Sequence, residues 1–118
     1  MDLSIYVDGS GGDKAGYGYF VKETGDSFHE SKPGITNNQA EYMAIISALE
    51  KFGPGGHTIT IYSDSKNTVS QLNHEFAINS EPLRELARKA WTMMAKIPNL
   101  KIVWVPRAQN LAGKMLGS

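Results

Sequence analysis

The stretch Thr36-Asn37-Asn38-Gln39-Ala40-Glu41-Tyr42-Met43-Ala44-Ile45-Ile46-Ser47-Ala48-Leu49 joins a polar loop to a strongly periodic segment. Apolar residues recur in it at helical spacing, so the sequence predicts a helix with one face in a hydrophobic core. Asn37 or Asn38 can supply the N-cap side chain, and Gly53-Pro54 ends the helix. Glu41 then lies in the first turn with its carboxylate near a sheet. An isolated glutamate there would ordinarily serve only the helix dipole, so its role depends on partners elsewhere in the chain.

The composition is that of an ordinary globular protein. The chain has 118 residues, which predicts a single domain over 1–118 with one hydrophobic core. It contains no Cys, which excludes disulfides and thiolate metal sites and makes a cytoplasmic location the simplest expectation. Lys plus Arg number 12, as do Asp plus Glu, and this balance argues against strong non-specific attraction to nucleic acid. No apolar run reaches the length of a membrane span, and Met1-Asp2-Leu3 does not open a signal peptide.

The order of periodic segments predicts a mixed α/β fold, β-β-β-α-β-α-α-β. Strands are expected over 3–7, 16–22, 26–31, 58–63 and 101–105, with a short helix after Asp64 and a longer one from Ser80 to near Ala95 or Lys96. The first three strands favour an antiparallel meander, and the later crossovers require parallel strands. We therefore expect a mixed five-stranded sheet flanked by helices. The residues from 107 onward predict no more than a helical turn or two.

Two aspartates stand where strands of this sheet end. Asp8 and Asp64 follow the first and fourth strands, at the edge where α/β sheets usually bind ligands, and the Glu41 helix can reach the same place. Three converging carboxylates repel one another unless their pKa values rise or a divalent cation binds. Oxygen ligands suit Mg²⁺ or Mn²⁺, and two such ions about 4 Å apart can activate a water and stabilise the leaving oxygen of a phosphodiester. The residues therefore predict metal-assisted phosphodiester hydrolysis.

Three motifs carry a resemblance to a known family: Tyr6-Val7-Asp8-Gly9-Ser10, the helix entry Thr36-Asn37-Asn38-Gln39-Ala40-Glu41, and Tyr62-Ser63-Asp64-Ser65. In this order and spacing, and with Trp104-Val105-Pro106-Arg107 and Asn110, the chain resembles a type 1 ribonuclease H domain. The resemblance implies the ribonuclease H-like fold and an endonuclease that hydrolyses the RNA strand of RNA/DNA hybrids. The expected products carry 5′-phosphate and 3′-hydroxyl ends, and the expected cofactor is Mg²⁺ or Mn²⁺. The expected partner is the RNA/DNA hybrid, and double-stranded RNA stays open as a second substrate. The protein is expected to be a monomer that does not bind a membrane.

The resemblance also assigns roles to individual residues. Asp8, Glu41 and Asp64 would be both metal ligands and catalytic residues. Contacts to the hybrid near the cleavage site, where the 2′-hydroxyl distinguishes RNA from DNA, would come from a larger set. Its members are Gly9, Ser10, Thr36, Asn37, Asn38 and Arg107.

The C-terminal motif departs from the family pattern. The usual Asn-x-x-Ala-Asp-x-Leu-Ala corresponds without gaps to Asn110 through Gly117, so Lys114 stands at the usual fourth acidic position. The Lys114 ammonium would either oppose metal binding by its charge or replace part of the electrostatic role of one cation. If the C-terminal residues align with the family pattern in a different register, Asn110 could offer a neutral oxygen ligand. The histidine that family members often have in the loop before the last helix is absent. The basic insertion of some members is also absent; it would lie between Leu72 and Leu83. These departures keep a second hypothesis open, a catalytically weakened nucleic-acid-binding or protein-interaction module of the same fold.

Overall fold

A computed structural model describes residues 1–115 of the chain. The described residues form five strands and four helices, in the predicted order with one short helix added at the end. They are β1 (Asp2–Ser10), β2 (Gly16–Val21), β3 (Ser27–Ser31), α1 (Asn37–Phe52), β4 (Thr58–Ser63), α2 (Lys66–Leu72), α3 (Glu81–Met94), β5 (Lys101–Trp104) and α4 (Leu111–Met115). Single 3-10 turns follow α1 and β5. No helix among the described residues is both long and apolar enough to cross a membrane.

The five strands form one mixed sheet in the order β3-β2-β1-β4-β5. The central strand β1 pairs antiparallel with β2 and parallel with β4, and β4 pairs parallel with β5. The prediction of a mixed five-stranded sheet flanked by helices is confirmed. Because β1 and β4 are parallel neighbours, their carboxyl ends meet at the same edge of the sheet.

The core lies between this sheet and α1. Alternate residues of β1 and β4, such as Ile5, Val7 and Ile61, are fully buried against the apolar face of α1, where Ile45 and Leu49 lie. Each large aliphatic side chain buried in this way contributes about 1.5–3 kcal/mol to folding. The helix is thus held firmly on the central strands, and its amino end lies near the carboxyl end of β1.

The start of α1 differs from the prediction. Its N-cap is Thr36, not Asn37 or Asn38: the Thr36 hydroxyl accepts from the Gln39 amide nitrogen at 3.1 Å, and the Gln39 side chain accepts from the Thr36 amide at 2.9 Å. Asn37 is unavailable as a cap because its Oδ1 accepts a hydrogen bond from the Gly11 amide at 2.5 Å. Glu41 is consequently the fifth residue of the helix and not part of its first turn, so interaction with the helix dipole does not explain it.

Strand β1 also runs further than predicted. Its pairing with β2 continues to Ser10, opposite Gly16, so Asp8 lies inside the strand opposite Gly18. The glycine-rich turn that follows is fastened to the entry of α1 by the Gly12 amide, which donates to the Ile35 carbonyl at 3.0 Å. A Cβ atom at Gly9 would lie 2.5 Å from the Ala40 carbonyl carbon, and one at Gly11 would overlap the Asn37 backbone nitrogen. Gly9 therefore allows the backbone of β1 to touch α1, and Gly11 allows the turn after β1 to touch the entry of α1.

The substitution Gly11→Ala tests this backbone contact. The added methyl group would force the entry of α1 away from the turn that follows β1, and overpacking of this kind destabilises proteins by about 1–3 kcal/mol. We expect a lower midpoint of thermal unfolding by circular dichroism. The exposed neighbour Asp13→Ala serves as the control and should leave the midpoint unchanged; equal midpoints for Gly11→Ala and wild type would contradict the proposed close contact.

Candidate metal centre

Three carboxylates converge at the edge of the sheet. Asp8 comes from the central strand β1, Asp64 from the residue directly after β4, and Glu41 from α1. Each offers one carboxylate oxygen, and these oxygens all lie within 4.8 Å of one another. Asp8 and Glu41 are each only 6% exposed, so the charges are held together largely out of water.

Glu41 is the most strongly perturbed of the three. One carboxylate oxygen accepts from the Gly9 amide at 3.3 Å and the other from the Ser63 hydroxyl at 3.4 Å. Burial, and then the negative charges of Asp8 and Asp64, raise the pKa of Glu41 to about 8. The two hydrogen bonds oppose this rise but do not overcome it. Near neutral pH the site therefore favours a bound proton at Glu41 unless another cation replaces it.

Asp64 is held by donors from the C-terminal part of the chain. Its backbone carbonyl accepts from the Trp104 indole nitrogen at 3.2 Å. Its Oδ2 accepts from the Asn110 side-chain nitrogen at 3.0 Å. The Asn110 oxygen accepts from the Ala112 amide nitrogen at 3.0 Å and the Gly113 amide nitrogen at 3.4 Å, so the amide turns its nitrogen toward the carboxylates and its oxygen toward α4.

The carboxylates open into a cleft of about 330 Å³. Five of the six predicted substrate contacts line it, whereas Thr36 serves as the cap of α1 and does not. Ser65, the cap residue of α2, was not assigned a role from the sequence, although it directly follows Asp64. The lining residues are Asp8, Gly9, Ser10, Asn37, Asn38, Glu41, Asp64, Ser65 and Arg107.

The atypical C-terminal motif is placed by the short helix α4. Lys114 is exposed, whereas the preceding residue, Gly113, is buried. Neither Lys114 nor Asn110 lines the cleft. The last two positions of the gapless motif comparison, Leu116 and Gly117, lie outside the described residues. In the described part of the chain, α4 thus turns its buried side toward the sheet and Lys114 toward solvent.

The donor set fits a divalent cation. Oxygen ligands alone, supplied by closely spaced carboxylates, are the environment that Mg²⁺ and Mn²⁺ prefer. A cation would also relieve the mutual repulsion that raises the pKa of Glu41. The arrangement can therefore hold a hard metal ion beside a cleft that is open to a larger ligand.

Comparison with known sequences identifies related proteins. A family model described as reverse transcriptase-like matches residues 20–117. A putative hydrolase of Enterococcus faecalis, EbsB, is 30% identical over an alignment of 122 positions, which covers 97% of this chain and 90% of that protein. A ribonuclease HI of Halobacterium salinarum is 35% identical over 107 residues, covering 90% of this chain. The match covers 48% of that relative, so the chain spans about half its length.

Solved structures are similar over nearly the whole chain. The crystal structure of ribonuclease H1 from Halobacterium salinarum aligns with a TM-score of 0.86 and 30% identity, covering 98% of this chain and 94% of that one. The LC11 ribonuclease H1, solved in complex with an RNA/DNA hybrid, aligns with a TM-score of 0.85 and 27% identity. That alignment covers 97% of this chain and 92% of the other. The ribonuclease H-like fold predicted from the motifs is confirmed by these neighbours.

The raised pKa of Glu41 predicts how stability depends on pH without metal. The folded protein binds the Glu41 proton more tightly than the unfolded chain does, because the pKa is about 8 against an ordinary 4.5. The stabilisation from this proton is therefore complete below about pH 4.5 and is lost as the pH rises to about 8. Glu41→Gln, which mimics the protonated acid, should be more stable than wild type at pH 8.5 by roughly 2–4 kcal/mol, since one pKa unit corresponds to about 1.4 kcal/mol.

Urea unfolding of both proteins in a chelating buffer between pH 4 and pH 8.5 measures this difference. The gap should close toward pH 4, and Mg²⁺ should stabilise the wild type more than Glu41→Gln at pH 8.5. The exposed carboxylate Glu85 on α3 provides the control, because Glu85→Gln leaves the three converging carboxylates intact and should gain as much stability from Mg²⁺ as the wild type does. A gap of constant size across the range would show that Glu41 is not protonated in the folded protein.

Proposed function

Because the chain belongs to the type 1 ribonuclease H family and is a nuclease of the ribonuclease H type, we propose that it hydrolyses the RNA strand of RNA/DNA hybrids with a divalent metal ion. The observation that carries the proposal is the convergence of Asp8, Glu41 and Asp64 within 4.8 Å beside a polar cleft. The LC11 ribonuclease H1, similar in structure over nearly the whole chain, binds an RNA/DNA hybrid. The expected products carry 5′-phosphate and 3′-hydroxyl ends.

Asp8, Glu41 and Asp64 would hold Mg²⁺ or Mn²⁺ in this proposal. When bound, the ions supply Lewis-acid stabilisation of the phosphoryl group and its leaving oxygen. The protein contributes the positions of the ligands. Asp8 lies on the rigid central strand, between the neighbouring strand end that bears Asp64 and the helix that bears Glu41. The Gly9 amide and the Ser63 hydroxyl orient the Glu41 carboxylate, so that it needs only to lose its proton to accept a cation.

The cleft supplies contacts to the nucleic acid backbone. Arg107 brings a guanidinium, which can bind a phosphate through two parallel hydrogen bonds. Asn38 and Ser10 are exposed at the rim and offer uncharged donors and acceptors. Asn37 already accepts from Gly11 with its Oδ1, so its Nδ2 is the group left to donate to a ribose hydroxyl or a phosphate. A donor so close to the carboxylates is suited to recognise the 2′-hydroxyl of RNA.

Lys114 motivates the rival proposal of a module that binds the hybrid without cutting it. The absence of a carboxylate at this position would leave three acidic ligands. The exposed ammonium of Lys114 does not line the cleft, so it does not neutralise these ligands directly. The catalytic proposal therefore requires that three carboxylates suffice.

The substitution Asp8→Asn distinguishes the two proposals. An end-labelled RNA/DNA hybrid should be cut by the wild type in Mg²⁺ or Mn²⁺, and not in chelator. Asp8→Asn removes the central carboxylate and should reduce cutting to the chelator level, while it leaves the fold intact because it removes like-charge repulsion. Duplex RNA and duplex DNA, run in parallel, define the substrate range.

The matched control is Asp26→Asn, an exposed aspartate in the turn between β2 and β3. It should retain wild-type cutting. Hybrid binding without any metal-dependent cutting by the wild type would favour the binding module instead, and cutting retained in Asp8→Asn would refute the assigned metal site.

Arg107→Ala tests the contact to phosphate. Loss of one neutralised phosphate should weaken hybrid binding and make its dependence on salt shallower by about 0.7–0.9 in the slope of log K against log salt. Fluorescence anisotropy in Ca²⁺ or chelator measures binding apart from cleavage. Lys51→Ala removes an exposed cation at the opposite end of α1 and should leave the slope as in the wild type. An unchanged slope for Arg107→Ala would place the hybrid elsewhere.

A further inference from the structure

We propose that Asn110 is a positioning residue that holds the Asp64 carboxylate ready for a cation, an inference that rests on the metal site of the proposed function. Asn110 is fully buried. Its amide lies between the three elements that must keep a fixed distance from one another: β1, the end of β4, and α4. It touches neither the cleft nor a substrate, so its effect would pass entirely through Asp64.

The contacts of Asn110 use both ends of its amide. The nitrogen donates to the Val7 carbonyl at 2.9 Å and to Asp64 Oδ2 at 3.0 Å. The oxygen accepts from the amides of Ala112 and Gly113, which begin α4. The two protons of the nitrogen and the two lone pairs of the oxygen therefore each have a partner. Of the neutral side chains, only an amide can donate two hydrogen bonds from one atom and accept two at another.

This network links the Asp64 side chain to the strand that carries Asp8. Val7 precedes Asp8 in β1, so one nitrogen atom binds both the backbone next to Asp8 and the side chain of Asp64. The separation between the two carboxylates is thus tied to a single rigid, buried group. The hydrogen bond to Oδ2 thus fixes the orientation of the Asp64 carboxylate.

The electrostatic effect of Asn110 has the same direction. The amide nitrogen places a partial positive charge against the Asp64 carboxylate and adds no further negative charge to the cluster. Asp64 is thereby ordered without any increase in the repulsion that raises the pKa of Glu41. In metal sites generally, loss of a group that orients a ligand weakens metal affinity by about 10–100-fold.

Nuclear magnetic resonance on the wild-type protein tests the inference without any substitution. During a titration with Mg²⁺, the side-chain NH₂ signal of Asn110 should shift and should saturate together with the backbone signals of Asp8, Glu41 and Asp64. The side-chain NH₂ of Asn73 is the internal control, because it donates to the Ile102 carbonyl at 3.0 Å and touches no carboxylate. Its signal should not move.

Two variants complete the test. Isothermal titration with Mn²⁺ should show about 10–100-fold weaker binding for Asn110→Ala, and unchanged binding for the control Asn73→Ala.

The outcomes separate this inference from the proposed function. If the signals of Asp8, Glu41 and Asp64 shift with Mg²⁺ while the Asn110 side chain does not, the positioning role is overturned and the metal site stands. Wild-type Mn²⁺ affinity in a folded Asn110→Ala would overturn it equally. If none of these signals shifts, the metal site of the proposed function fails and the inference fails with it.

Discussion

The contact of two backbones, at the end of β1 and the beginning of α1, determines where the carboxylates lie. A side chain at Gly9 would lie 2.5 Å from the backbone of Ala40, so only glycine lets the helix come this close. At that distance the Gly9 amide reaches the Glu41 carboxylate at 3.3 Å. The same close approach lets the Gly11 amide donate to Asn37 Oδ1, and this hydrogen bond joins the turn after β1 to the start of the helix. A carboxylate on the helix and another on the strand thus share one site because no side chain separates the two elements.

The fold follows from local sequence patterns because the spacing of apolar residues in each element identifies its buried face. Alternation in β1 and β4 and the helical period of α1 all point to the same core, and the crossover that parallel strands require makes β1 and β4 neighbours. The local detail at Thr36 was not predictable in this way. Thr36 is the N-cap and Asn37 is not, because Asn37 Oδ1 accepts a hydrogen bond from the amide of Gly11, a residue 26 positions away. Capping preferences alone cannot rank three adjacent polar residues when a distant partner removes one of them.

The C-terminal motif shows the same limit. A gapless comparison with the family pattern leads to Lys114, but successive residues of a helix point about 100° apart, so a motif position identifies a side chain only when the helix orientation is known. In the structure Gly113 is buried and Lys114 is exposed. The link between Asn110 and Asp64 spans 46 positions and follows no periodic signal. Long-range polar contacts of this kind, and not the hydrophobic pattern, determine how the carboxylates of the site are oriented.

Burial gives this site its chemistry and limits the stability of the fold. Removing Glu41 from water raises its pKa to about 8, so any cation that binds this carboxylate near neutral pH must displace a proton. The side-chain nitrogen of Asn110 donates to the Asp64 carboxylate at 3.0 Å and holds it in place. The three acids are therefore not equivalent: Asp64 is ordered by a neutral donor, whereas Glu41 is the carboxylate whose pKa is raised. A cation that binds the folded chain alone also stabilises it, and so ligand binding and folding are linked through this one carboxylate.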